Sequence, residues 1–96
     1  MGTAEQNAMR SERLRLISGY VREFSQRAPV RDEAVWRFAQ RYAQAESSSQ
    51  VRDDLMYLAS VGDMTRAREW SDGEWVWNHE ITAQGIDRLE GRLPPL

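Results

Sequence analysis

The chain has 96 residues, with 13 basic and 15 acidic side chains, one histidine and no cysteine. A chain of that size supports one thin hydrophobic core. The missing cysteine excludes a disulfide framework, a thiolate nucleophile and cysteine-ligated zinc, and the lone His79 cannot build a multi-histidine metal site.

No apolar run approaches the roughly 20 residues that span a bilayer, and the start of the chain lacks the apolar stretch of a signal peptide. The expectation is a cytoplasmic protein without cofactor or membrane contact. Every basic residue is arginine, which fits a GC-rich coding bias. The net charge of −2 conceals a polarity. Eight arginines face four acids between Arg10 and Ala45, whereas two arginines face five acids from Ser71 onward. A basic first half and an acidic tail need separate explanations.

Residues 1–8 lack periodicity and are expected to fray. From Met9 the apolar residues Leu14, Ile17, Val21 and Phe24 recur every three or four positions, which predicts an amphipathic helix with Arg13, Arg15, Arg22 and Glu23 on its solvent face. Ala28-Pro29 ends it, because proline bars helical geometry in the residue before it. A second stripe, Ala34, Val35, Phe38, Ala39 and Tyr42, predicts a second helix with Arg37 and Arg41 outward. The serines at 47–49 predict a loop and an N-cap for a third helix built on Val51, Leu55 and Leu58, flanked by Met56 and Ala59 and stopped by Gly62.

Beyond Gly62 the period changes to two. Met64 to Trp70 and Trp75 to Ile81 read as strands, and the Asp72-Gly73 between them is a strong hairpin signal because such a turn needs positive φ. Thr82 then caps a short helix with Ile86 and Leu89 inward, Gly91 as its stop and Pro94-Pro95 behind it. The fold class is α+β, mainly α. Its body is expected to cover residues 9–91, with a tail over 92–96.

Three helices, a hairpin and a closing helix resemble the winged helix-turn-helix. The residues that carry the resemblance are Val51, Asp54, Leu55, Leu58 and Gly62 in the third helix, then Ile81, Thr82, Gly85 and Gly91 in the last. Order and length are more narrowly similar to small winged-helix proteins of Mu-like bacteriophages and prophages. The resemblance implies a three-helix bundle with a two-stranded wing, whose third helix enters the major groove of DNA while the wing touches the flanking backbone.

On that footing Ser48, Ser49, Gln50, Arg52, Asp53 and Tyr57 form the outward face of the third helix. Arg52 suits guanine, Gln50 suits adenine, and the two serines suit phosphate. Pairing of Arg52 with a nearby acid is the equal alternative. Asp53 and Asp54 oppose DNA contact, as does the acidic hairpin tip Asp72-Gly73-Glu74, whereas Arg66 and Arg68 share one strand face and reach the backbone from the stem. Trp75 and Trp77 read as core. Trp36 lies off its helix's apolar stripe, so Trp36, Arg37 and Arg41 offer a protein-binding surface.

Two functions follow: a DNA-binding regulator, working alone or as a homodimer, or a protein-interaction module. Catalysis is not expected. His79 and Glu80 are strand neighbours that point to opposite faces, so His79 reads as a surface or half-buried residue.

Overall fold

Thr3 starts the first helix. Its hydroxyl accepts from the Gln6 backbone N–H at 3.2 Å, while the Gln6 side chain accepts from the Thr3 backbone N–H at 2.9 Å. This reciprocal capping box satisfies two N–H groups that the helix start leaves unpaired. In the computed structural model, which describes residues 3–96, α1 therefore runs Ala4–Phe24. The frayed lead expected over residues 1–8 is corrected from Ala4 onward, and residues 1–2 lie outside the described residues. The capping pair stabilises a turn whose side chains meet no core, so apolar periodicity does not reveal it.

The chain continues through β1 (Val30–Arg31), α2 (Asp32–Tyr42), α3 (Ser48–Ser60), β2 (Met64–Ser71), β3 (Glu74–Ile81) and α4 (Ala83–Leu89). Leu14, Ile17 and Val21 of α1 meet Val35 and Ala39 of α2 and Val51, Leu55 and Leu58 of α3, closed by Val30 and Met64 from the strands. These are the expected stripes except at their last members, Phe24 and Tyr42, which are 53% and 63% exposed; burying each large aliphatic side chain contributes about 1.5–3 kcal/mol.

One member of the expected solvent face of α1 belongs inside. Arg13 lies in the α1–α3 interface and clasps Asp54 with two hydrogen bonds, 2.5 Å from Nε and 3.2 Å from a terminal nitrogen. Their side chains are only 10% and 3% exposed. Asp54 follows Val51 by three positions and precedes Leu58 by four, so helical geometry points it at α1. It does not oppose DNA from the surface.

The hairpin is a two-residue turn. Ser71 pairs with Glu74, and Asp72 and Gly73 take φ values of 51° and 83°, the doubly positive geometry that matches strand twist. The sheet has three strands where two were expected, ordered β1-β3-β2, with Val30 opposite His79 and Arg31 opposite Asn78. At two residues, β1 is too short to show a period.

β1 also corrects the placement of His79, which is fully buried. Its Nε2 bonds Asp32 in the first turn of α2, and its Nδ1 is buried without a partner.

Below the hairpin, α4 is tied to the α3–β2 turn. Buried Asp63 receives Arg88 at 2.7 and 3.2 Å and the Gln84 amide at 2.9 Å. The bond to Asp63 raises the Arg88 pKa above its usual value. Gly62 takes the left-handed φ of 91° that ends α3, and its carbonyl accepts from the Thr82 hydroxyl at 2.6 Å. The tail docks as well. Leu96 packs on the core, and a Leu96 oxygen accepts from the Ser11 hydroxyl at 2.6 Å.

Candidate nucleic-acid interface

Helix α3 owes its start to Ser47, whose hydroxyl accepts from the Gln50 backbone N–H at 3.1 Å. The Gln50 side-chain oxygen in turn accepts from the Glu46 backbone N–H at 2.9 Å. Gln50, expected to face adenine, is thus half-buried and engaged at the helix start. Ser48 and Ser49 remain exposed in the first turn, and Arg52 and Asp53 are exposed one turn further on. Among the described residues Arg52 has no carboxylate within ion-pair distance, so the surface-pair alternative is not what the structure contains.

Met56 continues this face at 48% exposure. The apolar periodicity alone places it at the flank of the stripe. Counting from Arg52 and Asp53 by helical turns finds it on the outward side. Tyr57 departs from the expected face. It packs against the core and lies beneath the Arg10 guanidinium, 4.5 Å from ring centroid to Cζ. Arg10 therefore joins α3 from α1, a contact that no local spacing announces.

The surface expected around Trp36 divides in two. Trp36 lines a shallow groove with Ser48, Val51, Arg52 and Leu55, beside Asp32 and Glu33. Arg37 and Arg41 border a different concavity with Tyr20, Phe38 and Tyr42, and Arg37 is bonded to Glu33. Residues 37 and 41 are one helical turn apart and share a face, whereas residue 36 is rotated by about 100° from 37. Trp36 therefore belongs to the α3 surface.

The hairpin carries the second set of cations. Arg66 and Arg68 do share a face of β2, and each lies over a tryptophan of β3. Arg66 is 4.0 Å from the Trp77 ring centroid and Arg68 is 4.5 Å from that of Trp75. Trp70 meets Trp75 edge-on at 5.3 Å. The core assignment of Trp75 and Trp77 is corrected: Trp75 is 56% exposed and Trp77 half-buried, and Trp70 beside them is 59% exposed. An eight-residue strand extends about 27 Å, so the face that covers the helices at its root runs past them toward the tip. Asp72, Gly73 and Glu74 at the tip are exposed, as expected.

Among the described residues, no group of three or more His, Asp or Glu side chains is placed to hold a metal ion, and no helix is long and apolar enough to cross a membrane.

Three packed helices, a hairpin rooted on them and a closing helix define a winged-helix domain. A crystal structure of a PadR family transcription regulator from a hypervirulent Clostridium difficile has the same fold, with a TM-score of 0.67 over 83% of this chain and 81% of that one. The two sequences are 13% identical, so the likeness is one of fold. No protein-family model and no curated protein matches the chain.

Proposed function

We propose that this chain is a non-enzymatic, cytoplasmic transcription regulator that binds duplex DNA through α3. The observation that carries the reading is the α3 face on which Ser48, Ser49, Arg52 and Met56 stand exposed, with Arg52 in no ion pair among the described residues. In this reading Arg52 contacts a base edge, Met56 meets a thymine methyl, and the serines hold phosphate. Asp53 orients Arg52 or accepts from cytosine. Arg66 and Arg68 add backbone contacts from the wing. The fold shared with a transcription regulator supports the class; that the regulator is phage-encoded is part of the proposal and rests on the sequence resemblance alone.

Titration of mixed-sequence duplex DNA at several salt concentrations tests this. Arg52→Ala is expected to weaken a specific site by about 1–3 kcal/mol, or roughly 5–150-fold. Arg66→Ala with Arg68→Ala should weaken all sequences alike and lower the salt slope by about two units. Undetectable duplex binding at low salt rejects the reading.

The regulator acts as a homodimer in this reading. Phe24 and Tyr42, both more than half exposed, end an aromatic row that runs through Tyr20 and Phe38 with centroids 4.7, 4.5 and 5.5 Å apart. Exposed rings joined in a row mark an association surface. Phe24→Ser with Tyr42→Ser is expected to convert dimer to monomer in sedimentation velocity, and a wild-type monomer at high concentration would rule the dimer out. The same row favours a second reading, a winged helix docked on another protein. That reading gains if the wild type is monomeric and binds no duplex.

A further inference from the structure

The wing carries more than the two duplex-backbone cations Arg66 and Arg68: it also sets them against exposed aromatic rings that duplex binding leaves unused. Along one face of the hairpin Arg68 lies over Trp75 and Arg66 over Trp77, two cation–ring pairs in succession across the strands, with Trp70 closing the tip. Among the described residues neither Arg66 nor Arg68 has a carboxylate within ion-pair distance, and the Arg66 Nε is buried with no acceptor. Two cations are therefore held on aromatic faces with their hydrogen-bonding capacity unspent, beside two large rings left in solvent.

We propose that this ladder is a stacking site for unpaired nucleotides of single-stranded DNA. Three observations select that ligand. Exposed rings accept the flat face of any base, and interleaved guanidinium groups accept the phosphates between bases, which is the chemistry by which single strands are held. Same-face side chains on a strand recur every two residues, about 6.6–6.8 Å, a repeat comparable to the spacing of nucleotides in an extended strand. Charge is also graded along the wing. Asp72 and Glu74 at the tip oppose entry between the two phosphate rails of a duplex minor groove. A single strand has one backbone, so it can run along the wing with its phosphates at Arg66 and Arg68 and its bases on the rings, with no second rail to meet the acidic tip. The cation–π contacts pre-set both arginines, so little side-chain freedom is lost on binding.

The site goes beyond the duplex reading and does not depend on it. Intrinsic tryptophan fluorescence of the full chain, titrated with a twelve-nucleotide oligothymidylate at low salt, reads the stacking directly. Saturable quenching is expected in the wild type. Trp75→Ala should weaken it about tenfold or more, Arg68→Ala should weaken it and reduce its salt dependence, and Trp75→Phe should retain most of it because a ring remains. Arg52→Ala should leave oligothymidylate binding intact while weakening duplex, so the two proposals fail separately. Circular dichroism of each variant checks that the tip substitutions leave the fold in place. The proposal is overturned by no quenching in the wild type, or by equal affinity in Trp75→Ala. It is also overturned by binding to an acidic peptide at least as tight as to oligothymidylate, which would make the ladder a protein-docking surface.

Discussion

Replacing Asp54 with alanine is expected to cost about 3–5 kcal/mol, because it strands the Arg13 guanidinium in a buried interface without its counter-charge. Small domains have only about 5–15 kcal/mol in hand. The melting temperature should fall by more than about 12 °C, at roughly 4–8 °C per kcal/mol for a domain of this size. Urea titration checks the figure, and a loss below about 1 kcal/mol would mean that water solvates Arg13 in the native state. A double replacement, Arg13→Met with Asp54→Leu, should recover most of the loss, since apolar side chains of similar volume avoid desolvating two charges. The contrast matters for function. Asp54 sits on α3, so a loss of DNA binding in Asp54→Ala would report instability, whereas Arg52→Ala should leave the melting temperature nearly unchanged.

The second large effect is expected at Gly85. A Cβ placed there would lie 2.3 Å from the Asp63 carbonyl oxygen and 2.7 Å from Ile81 Cδ1. The first obstacle is backbone, already engaged as the acceptor for the Thr82 N–H at 3.0 Å, so it cannot swing aside. Gly85→Ala should therefore cost about 3 kcal/mol, the upper end of overpacking penalties. A helical glycine with open space at its Cβ position would give the opposite sign. Gly19, where a Cβ meets nothing within 4 Å, supplies that control, and Gly19→Ala should gain about 0.5–1 kcal/mol. If thermal melts place both variants within error of wild type, the close approach of α4 to the α3–β2 turn is not as described. The Thr82 and Gly85 shared with winged-helix sequences acquire a physical reason here. Thr82 caps α4 by accepting from the Gly85 N–H at 3.1 Å, and Gly85 lets the capped turn lie against residue 63.

What the sequence made legible was whatever is decided within a few residues. Ser47 and Thr82 cap helices because a hydroxyl reaches an N–H three positions on, and Asp72-Gly73 turns the hairpin because both residues accept positive φ. The stripes of α1, α2 and α3 show in the same way, since each is repeated over several turns. Features decided across the fold stayed hidden. Arg13 looks like one more surface cation until α3 brings Asp54 to it, 41 positions later. His79 reads as a surface or half-buried residue until β1 pairs beside it and Asp32 meets its ring.

The tryptophans show a third kind of failure. Alternation identifies their common strand face correctly, but how much of that face lies over helices depends on where the bundle ends. In the candidate site, Arg52, Ser48 and Ser49 could be read from helical phase alone. Met56 was missed by one step of that phase, and Arg10 by its distance along the chain.

The unequal lengths of the three strands have a mechanical consequence. β3 has neighbours on both sides only at Asn78 and His79, while from Glu74 to Trp77 it is paired with β2 alone. The wing is thus a cantilever, clamped at its root by Val30, Arg31 and the Asp32–His79 bond and compliant toward its end, because a two-stranded ribbon is marginal by itself. The Arg–Trp ladder straddles that boundary, with Arg66 opposite His79 at the clamp and Trp75 opposite Trp70 on the free arm. The root thus ties the wing to two helices, to the first turn of α2 through the Asp32–His79 bond and to α3 through the short turn that leads into β2.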